Sequence, residues 1–452
     1  MTDVNNLILK VSDWIWGWPL ILAFALVGLV ATVMLSFAQF RYFFTSCRMV
    51  LFPNKSETTL AAGAEMTSFQ AFINALGTST GNGSIAGIGT AIYAGGPGAA
   101  FWILVGGVFA MILRFAEVLL ATSVIGKYTF RTAKGGPMVY LHLVPGGSFL
   151  PYVYCAFLFL YGLTSGNAMQ ANSIALGLGK ASGGLIEPLY VAIALTIFVL
   201  YVLMGGAQRI LKISDRLVPF KVAVFVISSL IVLVYHSGEI LNALALIWRS
   251  AFTPQAAAGA AMGITVQQAM RSGLARSLNA HEAGLGVAAA FFGTSGSKEP
   301  VDDSIMAMLG AFISSYIVCF MVALCIIVSG VWNNGLSSAA LTISAFDTVF
   351  GSYGGWVVTF CAASFGLGVL ISFAFITREC WVFLTRGRFE KVAFLIYVAV
   401  TFLGTLAKVD LIWNTNDIVN GLMLLINLYG IVWFLPMMRR VVVKYIVDKR
   451  AS

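Results

Sequence analysis

Apolar, charge-poor runs recur along the whole chain, each close to the roughly 20 residues a helix needs to cross a ~30 Å hydrocarbon core. Of 452 residues 59% are hydrophobic and 10% are charged, whereas a soluble domain carries about 25% charged residues. A water-soluble fold cannot hide that much apolar surface, so the sequence predicts an integral membrane protein. The formal charge of +9 does not point to nucleic acid, because the basic residues lie scattered between apolar runs and form no continuous patch. The first apolar run follows Lys10 and a Trp-rich stretch without a small-residue cleavage site, which predicts a retained span. Six cysteines sit in or beside apolar runs without CxxC spacing, which predicts neither a zinc site nor a disulfide framework.

Reading the apolar runs against charge, Gly and Pro gives about eleven spans, near 19–40, 68–93, 98–125, 149–178, 188–204, 217–235, 265–292, 304–331, 355–377, 389–406 and 418–437. Lys and Arg collect in cytoplasmic loops. Odd-numbered loops, the span ends beside them and the C-terminal tail hold twenty basic residues, Lys221 among them, while even-numbered loops plus the N-terminus hold four. Arg114, Arg271 and Arg276 fall inside spans. This asymmetry predicts an external N-terminus and a cytoplasmic C-terminus in the cell (inner) membrane. The longest loops, 41–67 and 236–264, are too short for a soluble domain. The chain therefore reads as one domain: an added first span in 1–45, two repeats over 68–235 and 265–437, and a tail over 438–452. The segment 341–350 reads either as an amphipathic helix on the external surface or as an ordinary loop helix, and Trp14, Trp16 and Trp18 read as an interfacial belt.

Two spans are interrupted. Span 2 carries Gly77, Gly81, Asn82, Gly83, Ser84, Gly87 and Gly89, and span 7 carries Asn279, His281, Glu282, Gly284 and Gly286. A continuous lipid-facing helix would pay for such glycine density, and a carboxylate in mid-span is a functional hypothesis by default. Under the loop assignment the two spans run in opposite directions five spans apart. Gly-interrupted helices at matching positions of inverted halves point to a mid-membrane transporter site, where freed N–H groups attract a carboxylate and freed carbonyls suit a cation. Other readings compete. A single Gly-rich span can be a tight packing face. Glu282 can be a cap or a partner of Arg276, His281 a hydrogen-bonded packing group, and Arg114 with Glu117 at i, i+3 reads as an internal ion pair.

These residues resemble one family, the alanine or glycine:cation symporters, also called sodium:alanine symporters, over nearly the whole chain. The resemblance is carried by Ser68-Phe69-Gln70-Ala71, the 81–87 break, Gly95-Gly96-Pro97-Gly98-Ala99, Phe115-Ala116-Glu117 and Gly135-Gly136-Pro137-Met138. Gly166-Asn167 with Gln170-Ala171-Asn172, Gly205-Gly206, Glu282-Ala283-Gly284-Leu285-Gly286, and Asp417 with Asn420-Gly421 and Asn427-Leu428 follow in order. The resemblance implies an all-α, leucine-transporter-type bundle and cation-driven uptake of alanine or glycine, in L or D form, with sodium as coupling ion. It implies that Asn82, Gly83 and Ser84 hold the substrate carboxylate, that Gln170 faces the site and that His281 and Glu282 organise the other wall; Phe373 stands where the family usually has Trp and is expected to cap the pocket in its place. The family usually has Thr where Asn82 stands, Asn where Ser84 and His281 stand, and Ser where Ala280 and Val287 stand. Its usual Ser-Thr hydroxyl pair in span 9 is Gly368 and Val369 here, which leaves Ser364 and Ser372 as the hydroxyls for a sodium ion.

The expectation is thus a secondary active symporter for a small neutral amino acid, coupled to sodium, with a proton as the alternative cation. A channel or sensor built on the same bundle is the rival class. No HExxH, metal-spaced cysteine or histidine pair, or nucleophile with a base at motif spacing suggests an enzyme.

Overall fold

A computed structural model describes residues 15–60, 63–253, 265–297, 299–407 and 409–451. Lys10, Trp14, Lys298, Lys408 and most of the stretch 253–264 lie outside the described residues. Helix covers every apolar run. Leaving aside the short helices Ala38–Arg41, Phe43–Leu51, Lys55–Thr58 and Pro137–Tyr140, the helices in chain order are α1 (Trp18–Met34), α2 (Ser68–Ser79), α3 (Ile88–Gly95), α4 (Gly98–Ser123), α5 (Leu150–Leu163) and α6 (Met169–Ala181). There follow α7 (Pro188–Met204), α8 (Gly206–Tyr235), α9 (Ile240–Phe252), α10 (Val266–His281), α11 (Val287–Phe292) and α12 (Pro300–Phe312). The last are α13 (Phe320–Val328), α14 (Ser338–Phe350), α15 (Gly354–Thr385), α16 (Glu390–Leu406) and α17 (Val409–Ala451). Among the described residues no strand forms beyond one bridge between Phe130 and Ala133.

Among the described residues, five helical stretches are long and apolar enough to cross a bilayer: Gly98–Ser123, Gly206–Tyr235, Pro300–Val328, Ser338–Thr385 and Asn416–Lys449. Trp18–Met34 and Pro188–Met204 are shorter but equally apolar. Leu22, Leu26 and Leu29 on α1, and Ile193, Ile197 and Tyr201 on α7, lie exposed in helical stripes. Large apolar side chains on the outside of such helices are lipid-facing surface. The interior is packed with aromatic residues such as Phe72, Phe115, Tyr154, Tyr161 and Phe291, all buried.

Local chemistry explains where the helices stop. At the start of α2, Thr67 Oγ1 accepts the Gln70 N–H (3.1 Å) and Gln70 Oε1 accepts the Thr67 N–H (3.2 Å), a capping box that satisfies two orphan donors. The helix ends at Ser79, because Thr80 turns out of helical geometry at φ −118° and ψ 72°. Ser84 N–H then donates to Gly81 O (3.0 Å), and a π-helical turn over Gly83–Gly87 leads into α3. The second break is sharper. Glu282, Gly284 and Gly286 all have positive φ, at 53°, 83° and 84°, so three left-handed residues within five separate α10 from α11. Glycine tolerates that region, whereas Glu282 is held there at a cost of roughly 1–2 kcal/mol.

Three features differ from the reading of the sequence or extend it. Two further spans carry π-helical turns, over Thr164–Ala168 between α5 and α6 and over Ile313–Cys319 between α12 and α13. The segment 341–350 forms most of α14, with Leu341, Thr342, Ala345 and Phe346 buried. It packs on the first break, where Thr342 Oγ1 donates to Ile85 O (3.3 Å). The third is a correction. Lys221, counted above among the basic residues at cytoplasmic span ends, is fully buried within α8, because carbonyl oxygens inside the bundle solvate its ammonium. That leaves nineteen basic residues against four on the predicted assignment.

Candidate functional site

The two breaks meet. Ser314, in the π turn between α12 and α13, donates its hydroxyl to Ser79 O (2.6 Å) and reaches Ala280 O (3.4 Å). One side chain thereby bridges the last turn of α2 and the last turn of α10.

At the first break, Asn82 N–H donates to Gln170 Oε1 (3.1 Å), and Gln170 Nε2 donates to Ser165 O (3.0 Å) in the π turn between α5 and α6. Gln170 thus stitches one irregular backbone segment to another. Both side-chain atoms of Asn82 and the hydroxyl of Ser84 are buried without hydrogen-bond partners, the Cys319 thiol lying beside Ser84, and open space faces Gly83. Asn82 forms part of the wall of a cavity of about 360 Å³, whose rim includes Thr90, Lys180, Arg276, Ser338 and Thr359. The Cβ of any residue replacing Gly81 would stand 2.9 Å from Val369 Cγ2.

Lys221 enters this break from α8. Its Nζ donates to Gly77 O (2.8 Å), to Thr80 O (2.7 Å) and, more distantly, to Phe365 O on α15 (3.4 Å). It lies 5.4 Å from the centre of the Phe365 ring.

The second break is held from α4. Arg114 donates to the carbonyl of His281 and pairs with Glu117 (3.4 Å), both side chains buried. Glu117 Oε2 accepts the N–H groups of Gly284 and Gly286, each at 3.0 Å. Asn427 adds a bond to Glu117 Oε2 (3.3 Å) and one to Gly284 O (2.7 Å), and accepts from Tyr140. The pair seen in the sequence as an internal ion pair is therefore a clamp on the unwound segment. Glu282 Oε1 accepts from Tyr161 O–H (2.9 Å), while its Oε2 is buried without a hydrogen-bond partner, with the Thr78 hydroxyl beside it. Arg276 pairs with Asp417 (3.9 Å) rather than with Glu282.

The residues singled out in the sequence fall into two groups. Asn82, Gly83, Ser84, Gln170 and Glu282 lie at the breaks and the elements that bridge them. His281 turns away: its Nδ1 accepts the Ala283 N–H (3.1 Å) and its ring stacks on Phe24 of α1, with centroids 6.1 Å apart. Phe373 packs edge-on against Tyr161, centroids 5.5 Å apart, and closely against Gly166. Ser364 donates its hydroxyl to Phe360 O one turn back (2.5 Å). Ser372 is buried, unpartnered and next to Gly77. Lys221, Ser314 and Tyr161 were missed. Only Lys221 left a signal, a cation four residues into an apolar run.

Two interrupted helices joined at a buried polar centre inside an apolar bundle define a multi-pass membrane transporter. The profile of the Sodium:alanine symporter family matches residues 1–452. The chain belongs to that family, whose members are transporters of amino acids with cations. A relative called an uncharacterized transporter, from Haemophilus influenzae, is 33% identical over 95% of this chain and 93% of its own length. The sodium/alanine symporter AgcS of Methanococcus maripaludis is 29% identical over 95% of this chain and 94% of its own. The amino-acid carrier protein AlsT of Bacillus subtilis is 28% identical over 94% and 88%.

Proposed function

We propose that this protein is a symporter that binds a small neutral amino acid between the two breaks and carries it inward with a cation. The observation that carries the reading is the convergence of unpartnered buried polar atoms on the breaks: the Asn82 amide, the Ser84 hydroxyl and Glu282 Oε2. Such atoms are costly unless a ligand completes them. A zwitterionic amino acid does so, its carboxylate accepting from the amide, the hydroxyl and backbone N–H groups of the 81–84 segment, and its ammonium donating to the Glu282 side. Close packing favours alanine or glycine. Val369 crowds Gly81, and a Cβ on Gly366 would meet Ile174 Cδ1 at 2.8 Å and Asn82 Nδ2 at 3.0 Å.

In this reading residues 68–235 and 265–437 are inverted repeats that rock about the breaks. The cavity beside Asn82 is the external approach. A larger one of about 730 Å³, with Glu65, Lys127, Lys134 and Glu379 on its walls, is the cytoplasmic exit. The nineteen-to-four division of basic residues supports an external N-terminus and a cytoplasmic C-terminus. Sodium is named for AgcS, and one positive charge moving inward contributes about 2.3 kcal/mol per 100 mV.

The test is uptake of labelled alanine and glycine by the purified protein in liposomes, with sodium and proton gradients imposed separately. Accumulation above equilibrium under either gradient is expected. Equilibration without accumulation would instead identify a channel and overturn the symport reading.

A further inference from the structure

We infer that the Lys221 ammonium occupies the cation site of this transporter, so that the coupling ion is a proton carried on that amine and not a metal ion. This rests on the symporter reading and names its cation.

The cage is made by the first break. Where α2 stops, its terminal carbonyls lose their helical donors: the Ser84 N–H that would serve Thr80 O is turned to Gly81 O instead. Freed carbonyls at an unwound segment are what a transporter uses to coordinate a cation. Here Lys221 Nζ sits between Gly77 O and Thr80 O at 2.8 and 2.7 Å, with Phe365 O of the facing helix α15 at 3.4 Å. An ammonium has three N–H donors and no acceptor, and each of the three has a carbonyl. A metal ion centred among these oxygens would coincide with the nitrogen.

The opposite wall is shaped for the amine. A Cβ on Gly368 would meet Lys221 Nζ at 2.6 Å and its Cε at 3.0 Å. A serine or threonine at that position, which would offer a metal ion its hydroxyl, would have to push the lysine amine aside. Val369 beside it brings only methyl groups, Ser364 spends its hydroxyl on its own helix, and the free hydroxyl of Ser372, next to Gly77, finds the carbonyl cage already filled by the amine.

The charge has a job that a fixed hydrogen-bond donor would not have. The protonated amine ties α2 to α15 across the break, and the neutral amine keeps two donors but turns a lone pair toward carbonyl oxygen, which loosens the tie. Among the described residues, the charged group that acts on Lys221 is Glu282 of the second break. From α2 and α15 it is faced by carbonyls and the Phe365 ring, and among the described residues no ionisable side chain on α7, α13 or α14 acts on it. On its own helix, Asp215 is engaged by Gln70 Nε2 (3.0 Å). One amine thus senses both breaks. It takes one proton from water on the entry side and returns it to water on the exit side, moving one charge with each zwitterion. Proton and substrate then favour each other reciprocally.

The test uses the purified full-length protein in liposomes in sodium-free choline buffer, acid outside, with labelled alanine. Accumulation is expected without sodium, limited to about tenfold per pH unit at one proton per substrate, and unchanged when sodium is added. Accumulation that requires a sodium gradient and ignores the pH gradient would overturn the inference and leave the symporter reading standing. Accumulation under neither gradient would sink both. Lys221→Met is expected to lose gradient-driven accumulation and to make the exchange of internal for external alanine independent of pH. Exchange that keeps the unmodified protein's pH dependence would refute the role of the amine. Should Lys221→Met fail to fold, Gly368→Ala supplies the same decision, because its Cβ presses on Nζ. A shifted pH profile of uptake supports the assignment, and an unshifted one refutes it.

Discussion

Removing Glu117 distinguishes a clamp from an ordinary buried ion pair. In Glu117→Leu the backbone N–H groups of Gly284 and Gly286 lose their acceptor, and each orphaned buried donor costs about 1–3 kcal/mol. Arg114 is left buried without its 3.4 Å counter-charge, a loss of about 3–5 kcal/mol. The single variant is therefore expected to lose at least ~5 kcal/mol, comparable with the whole stability of many proteins. The informative variant is the double one, Arg114→Met with Glu117→Leu. If the pair were only an ion pair, replacing both members with apolar groups would be close to neutral. As a clamp it is not, because the two glycine N–H groups and the His281 carbonyl all lose their side-chain partners. At about 1–3 kcal/mol for each of these groups, the double variant should remain ~3 kcal/mol or more below the unmodified protein. The assay is unfolding by SDS in mixed micelles, followed by helical circular dichroism. A double variant within ~1 kcal/mol of the unmodified protein would refute the clamp.

Four further outcomes are expected. Glu282→Gln abolishes concentrative uptake at normal membrane expression, because the amide disturbs the charged centre between the breaks. Asp302→Asn is silent, because it retains the oxygen that accepts from Tyr445; uptake normalised to surface protein decides between them. Leucine and phenylalanine fail to compete with labelled alanine where glycine succeeds, since Gly81 and Gly366 leave no room beside Val369 and Ile174, and equal competition would refute the small pocket. A reporter active only in the cytoplasm is active when fused after Ser452, and an externally active reporter there would refute the topology argued from the basic residues.

The membrane class, the helical segments and both breaks were legible in the sequence, because each depends on residues adjacent in the chain. Apolar run length sets whether a segment enters a bilayer, and Gly284 and Gly286 permit positive φ wherever α10 and α11 stand. Motif order carried the family for the same reason. Which side chains fill the breaks depends instead on how distant helices are rotated and staggered against one another. The clamp joins residues 114 and 117 to 281–286, and the lysine tie joins 221 to 77, 80 and 365. Lys221 counted as a topology signal in the sequence because a lysine near the end of an apolar run ordinarily reaches water. Tertiary packing decided otherwise: the face of α8 that carries it turns toward the broken end of α2, where freed carbonyl oxygens solvate the ammonium in place of water.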